Sequence, residues 1–157
     1  QPKQPSLEVV DLESVPDFIP WVLEEVHTLN HNCVLIRLRL RGKAALCAAL
    51  CEDLSSIWHI DLKATLPDGE EVIRSYTPAS NLAALAAGCI DLMVKIYPNG
   101  KMTQHLASLS ASSQILVSKP HVTLDPVDYP KGVIVIAGGS AVTVALQVCE
   151  GVCEHLR

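Results

Sequence analysis

At 157 residues the chain is long enough for one ordinary domain, or for one domain with part of a second. Apolar residues make up 49% of it, enough for a sizeable core. The net charge of −5 excludes the basic surface on which general nucleic-acid binding depends.

Residues 1–20 are broken by prolines and acids and read as an extended lead-in with one short strand near Leu7–Leu12. They show no secretory signal pattern. Gln1 is an unusual native start, so the sequence reads as a piece of a longer chain, with a membrane anchor upstream of residue 1 left open. From Trp21 to Asn30 the pattern fits a strand or a short helix equally. Cys33 to Arg41 alternates plainly, with Ile36, Leu38 and Leu40 on one face and Arg37, Arg39 and Arg41 on the other, which predicts a half-buried strand. The arginine stripe is expected to be a solvated outer face, although with Lys43 it offers the one basic surface for an acidic partner.

Ala44 to Asp53 predicts a short helix or insert. Ile57 to Leu66 and Glu70 to Tyr76 are strand-like and are joined by the turn Pro67-Asp68-Gly69. Arg74 and Tyr76, two apart on the return strand, then point to the same face, and Pro78 ends the ladder. Asn81 to Cys89 reads as a connection. In Ile90 to Tyr97 the residues Asp91, Met93, Lys95 and Tyr97 share a face. A turn at Pro98-Asn99-Gly100 leads into a helix over Thr103–Leu109, and Ser113–Lys119 and Val122–Leu124 predict further strands. Short strands at close spacing around one inserted helix predict a small antiparallel barrel over residues 1–126.

After Pro126 and Pro130 the pattern changes. Gly132 to Ala137 is a continuous apolar run that suits a strand buried on both faces of a parallel sheet. Gly138-Gly139-Ser140-Ala141 is a tight turn, and Val142 to His155 is helical. Residues 127–157 therefore predict the start of an α/β nucleotide-binding domain, incomplete as it stands. The longest apolar stretch, from Gly132 to Val148, is shorter than the ~20 residues of a membrane span. The cysteines Cys33, Cys47, Cys51, Cys89, Cys149 and Cys153 lack the polar knuckles of a zinc site, and they predict small buried thiols in a reducing, intracellular compartment.

The chemistry concentrates in two stretches. Arg74 carries a fork that grips phosphate, Tyr76 offers a ring and a phenol to a flat ligand, and Thr77 adds a hydroxyl. One strand later, Gly100-Lys101-Met102-Thr103 opens a helix whose first backbone N–H groups are free to meet a diphosphate. Together they predict a seat for a flat ligand with a diphosphate tail.

The order of Arg74-Ser75-Tyr76-Thr77-Pro78, Val94-Lys95-Ile96-Tyr97, Gly100-Lys101-Met102-Thr103 and Gly138-Gly139-Ser140-Ala141-Val142-Thr143 resembles the ferredoxin–NADP⁺ reductase superfamily. It is most similar to the NADH–cytochrome b5 reductase branch. That resemblance implies an all-β antiparallel flavin-binding barrel followed by the start of an α/β pyridine-nucleotide domain. It implies FAD as cofactor, NAD(P)H as co-substrate and an electron-acceptor protein such as a cytochrome. It places the protein in the cytoplasm or on the cytoplasmic face of an organelle membrane. It implies that Arg74 holds the diphosphate, that Tyr76 packs along the flavin, and that Thr77 approaches N5 as the catalytic contact. Gly100, Lys101, Met102 and Thr103 would cap the diphosphate, while Lys95, Tyr97 and Thr143 would face the nicotinamide side. Ala141 and Val144 depart from the glycine and proline usual in that turn. The resemblance therefore leaves two readings, a working flavoprotein reductase or a degenerate, non-catalytic interaction module.

Overall fold

The computed structural model describes residues 10–54, 57–124 and 134–155, with side chains described as far as residue 151. Seven strands carry the domain: β1 (Phe18–Asn30), β2 (Cys33–Arg39), β3 (Ile57–Thr65), β4 (Glu71–Tyr76), β5 (Cys89–Lys95), β6 (Gln114–Ser118) and β7 (His121–Leu124). They pair antiparallel in the order β4-β3-β6-β1-β2-β5, with β7 added to β3. The two ends of this path meet just beyond β4, where Ala79 N–H donates to the Asp91 carbonyl at 2.8 Å. Asp91 N–H in turn donates to Ser80 Oγ at 3.0 Å. The sheet thus curls into the expected antiparallel barrel.

Period-two alternation explains which way each strand faces. Trp58, Ile60, Leu62 and Ala64 of β3, Ile36 and Leu38 of β2, and Ile90, Leu92 and Val94 of β5 all turn inward to one core. Each such Leu or Ile side chain contributes about 1.5–3 kcal/mol by leaving water. β1 is the long strand, and it serves two partners. Its first half pairs with β6 from Phe18 to Val22, and its second half pairs with β2 from Val22 onward. A register irregularity between Leu23 and Glu25 bends it between the two. Pro20, which obscures this strand in the sequence, lies within the β6-paired half opposite Leu116.

Among the described residues three α-helices interrupt the strands, α1 (Ala44–Ala49), α2 (Leu82–Ala86) and α3 (Lys101–Ser108), and α4 (Val142–His155) follows them. The sequence reading treats 81–89 as a connection, but Asn81 caps α2 there by accepting Ala84 N–H at 3.0 Å. α3 begins two residues earlier than expected and docks by Met102 and Leu106, both fully buried and one turn apart. α4 has the bounds that its pattern predicts. Among the described residues no helix is long and apolar enough to cross a membrane.

Two expectations need adjustment. Residues 7–9 of the lead-in strand lie outside the described residues, and 10–12 form no strand. Residues 132–133 also lie outside them, and 134–138 are not in a strand. Ile134 and Ile136 are 92% and 95% exposed. A strand buried on both faces needs neighbours on both sides, and none of the strands described here pairs with this segment.

Gly88 closes α2 and starts β5 at a positive φ of 71°, where a Cβ would lie 2.5 Å from the Leu40 carbonyl oxygen. That oxygen belongs to the backbone and has nowhere to go, and the left-handed conformation adds its own strain. Gly88→Ala is therefore expected to destabilise the domain by about 2 kcal/mol or more, read as a lower urea midpoint at unchanged slope.

Candidate cofactor site

The site starts where β4 runs out of core. Val72, Arg74 and Tyr76 share one face, passing from buried through exposed to half-buried. The Arg74 guanidinium donates only to its neighbour's carbonyl, Ile73 O, at 2.7 Å. Among the described residues no carboxylate pairs with it. Ser75 donates its hydroxyl to Asp61 Oδ1 at 2.6 Å, fixing the strand end from the side. Burial pushes the Tyr76 phenol up to about 12, and the nearby Arg74 charge only partly opposes this. Tyr76 thus stays a neutral O–H donor across the physiological range.

The opposite side is built by β5 and the turn into α3. Lys95 leaves β5 with its ammonium 5.5 Å from the centre of the Tyr97 ring. The following turn is tightly stitched. Gly100 N–H donates to Tyr97 O at 3.1 Å, and Gln104 Nε2 donates to the same oxygen at 2.7 Å. Thr103 Oγ1 accepts Tyr97 N–H at 3.3 Å and donates to Gly100 O at 3.1 Å. A Cβ on Gly100 would lie 2.3 Å from that hydroxyl, so the glycine is needed to admit Thr103 and not for an unusual φ. The Thr103 hydroxyl is therefore spent on the turn. What α3 presents to the cleft is its backbone: the N–H groups of Lys101, Met102 and Thr103 have no backbone acceptor, and no side chain caps them. Met102 contributes only its amide, since its side chain is core. The Lys101 ammonium turns to Glu70 on the β3–β4 turn, 2.7 Å from Oε1, so its charge is largely offset.

The third wall is the first turn of α4. Gly139 takes the left-handed conformation at φ 61°, and Ala141 does not, so its Cβ strains no backbone. Ala141 N–H donates to Gly138 O at 3.3 Å, and Thr143, buried, donates its hydroxyl to Ser140 O at 3.1 Å. Val144 completes the wall. One turn further on, Gln147 is 1% exposed and joins α4 to the barrel. Its Oε1 accepts Trp58 N–H at 2.9 Å and its Nε2 donates to the Pro78 carbonyl at 3.1 Å. Sequence reasoning does not single out Gln147, because a glutamine inside a helical pattern carries no signal of what it will meet.

The structure brings every residue expected at the site into one cleft of about 630 Å³: Arg74, Tyr76, Thr77, Lys95, Tyr97, Gly100, Lys101, Met102, Thr103 and Thr143. Among the described residues no carboxylate lines it, although the chain as a whole is acidic. An unpaired guanidinium, a lysine and free helix amides around a cleft whose described lining holds no carboxylate fit an anionic ligand such as a diphosphate. Among the described residues thiol or metal chemistry has no comparable seat. Burial pushes the Cys47, Cys51 and Cys89 thiols up, and among the described residues no His, Cys, Asp and Glu cluster has metal-binding geometry.

The class of domain defined so far is an antiparallel barrel with an anion-seeking cleft at the junction of its end strands. A family model for the oxidoreductase FAD-binding domain matches residues 20–125, and the chain belongs to that family. It is 32% identical over 139 residues to NADH-cytochrome b5 reductase 2 of Aspergillus niger, a match covering 85% of this chain and 39% of that protein. Among solved structures, the cytochrome b5 reductase domain of Ulva prolifera nitrate reductase matches at a TM-score of 0.52 and 25% identity, covering 72% of this chain and 43% of that one. The flavohemoglobin of Malassezia yamatoensis shares the fold at a TM-score of 0.71 and 14% identity, covering 89% of this chain and 35% of that one. The chain thus spans less than half the length of these relatives.

The Tyr76 phenol gives a direct handle on the cleft. An unfolded tyrosine ionises near its ordinary value of about 10, whereas the folded one holds its proton to about 12. Stability from this group is therefore present below the unfolded value and is lost as pH rises through the folded one. The wild type is expected to lose more stability across that window than Tyr76→Phe, and phenolate absorbance should show one tyrosine titrating late that the variant lacks.

Proposed function

We propose that this chain is the FAD-binding part of a flavoprotein oxidoreductase that takes hydride from NADH or NADPH and passes electrons to a haem protein or other acceptor. The observation that carries the reading is a cleft lined by Arg74 and the free amides of α3, with no carboxylate among its described lining residues in a protein of net charge −5. The names of the relatives, cytochrome b5 reductases and a nitrate reductase domain, support a cytochrome-type acceptor.

When bound, FAD supplies the redox chemistry, accepting a hydride and releasing electrons one at a time. The residues bind and orient it. Arg74 would fork onto a phosphate, and the amides of Lys101, Met102 and Thr103 would bond the diphosphate. Gly100 contributes by letting Thr103 lock that turn. Tyr76 packs along the ring system and keeps its proton, so its phenol donates. Thr77, half-buried beside it, would approach the ring near N5 and is the catalytic contact in this reading. Lys95 and Tyr97 on one side and Thr143 on the other receive the nicotinamide nucleotide.

Residues 1–126 form the flavin domain in this proposal and 127–157 open the nucleotide domain. The ordinary backbone at Ala141 supports a working turn over a degenerate one. The unpaired thiols at Cys33, Cys47, Cys51, Cys89 and Cys149 support a reducing, cytoplasmic setting.

Adding FAD to the purified chain should yield a yellow protein with oxidised-flavin bands that survive desalting. Arg74→Ala is expected to weaken FAD by about 10- to 100-fold, as befits one charge-assisted bidentate contact, with Arg74→Lys between. A folded chain that stays colourless would sink the proposal, and unchanged affinity in Arg74→Ala would remove Arg74 from the site.

A further inference from the structure

We propose that Gln147 is a positioning residue that holds the glycine turn of α4 in register with the Thr77–Pro78 edge of the cleft. The proposal rests on the flavin-reductase reading and names how its two halves are aligned. A single carboxamide spans chain segments 69 and 89 residues away from it, bonding Pro78 O and Trp58 N–H. Both ends of the amide are used, and with opposite polarity. A flipped amide would set its N–H₂ against the Trp58 N–H and its oxygen against the Pro78 carbonyl, so only one orientation is admissible. Proline has no N–H, so the carbonyl is the only backbone group by which Pro78 can be held. The next residue is already pinned, since Ala79 N–H bonds Asp91 O at 2.8 Å. Thr77 therefore precedes a stretch fixed by β5 on one side and by α4 on the other.

The helix has apolar contact as well, with Val148 buried, and apolar contact alone would let it slide or roll. A buried polar residue with two demanding partners specifies one placement. Four residues before Gln147, one turn back along α4, Thr143 bonds Ser140 and lines the cleft. Whatever fixes Gln147 thus fixes the Ser140–Thr143 wall relative to Thr77.

The test uses Gln147→Leu, Gln147→Glu and, as control, Leu146→Ala at an exposed position of the same helix. In cofactor-free protein, exchange of the Trp58 amide reads the tether alone: Gln147→Leu should speed it about tenfold, the worth of one lost hydrogen bond, and the control should not. In FAD-loaded protein, iodide quenching of flavin fluorescence reads whether the wall still covers the ring, and it should rise in Gln147→Leu at unchanged Arg74-dependent FAD binding. Gln147→Glu donates to Pro78 only while its carboxyl is protonated. Its quenching should match wild type at acid pH and climb at alkaline pH, a profile that wild type lacks. Wild-type quenching in Gln147→Leu, or a flat profile in Gln147→Glu should Gln147→Leu fail to fold, overturns the positioning role while leaving the flavin reading intact. Failure of the wild type to take up FAD overturns the flavin reading, and Trp58 exchange then still decides the tether.

Discussion

The cleft exists because the two end strands of the sheet are joined through Asp91. Its backbone accepts from Ala79 and donates to Ser80, just beyond β4. Its carboxylate is gripped by Arg37 at 2.7 and 2.8 Å, and that contact holds the arginine proton more tightly in turn. This junction sets Arg74, Tyr76 and Thr77 beside Met93 and Lys95, although β4 and β5 are not ladder partners. Without it the residues gathered in the cleft would belong to opposite edges of an open sheet.

The distribution of charge follows the same logic. Cations on the outer face are matched: Arg39 and Arg41 both bond Glu24, whose carboxyl they hold below its ordinary range, and Arg37 takes Asp91. The arginine stripe is therefore a solvated, ion-paired face, as the sequence suggests, and it offers little free charge for docking an acidic partner. Inside the cleft the rule reverses, since Arg74 and Lys95 have no acidic partner among the described residues and Lys101 is the one that does. Surface pairs are worth little and an unpaired cation in a cleft is a binding feature, so the pattern separates housekeeping charge from functional charge.

Much of this is legible in the sequence because it rests on local signals. The alternation of β2, β3 and β5, the Pro67-Asp68-Gly69 turn and the helix at 142–155 follow from short-range pattern. The pairing of Arg74 with the Gly100 turn is legible from the order of the two motifs, although closure of the sheet through Asp91 is what brings them to one place. The remainder depends on partners distant in the chain. β1 is hidden by Pro20 and by having two different partners, and α2 by its alanine-rich blandness despite the Asn81 cap. The apolar run from 134 onward carries the composition of a buried strand without a partner strand among those described here. Thr103 shows the finer limit: its amide is expected at a ligand, but nothing in the sequence signals that its hydroxyl closes the turn between Tyr97 and Gly100.

The bare start of α3 has a thermodynamic side. No acid stands in its first turn and no side chain caps it, so the N-terminal dipole of the helix is unrelieved there, with Met102 and Leu106 as its buried anchors. An anion seated against those amides would perform the task that a serine or aspartate performs elsewhere. Cofactor occupancy and the integrity of this helix are then two readings of one equilibrium, and the ligand becomes, in effect, the last residue the fold requires.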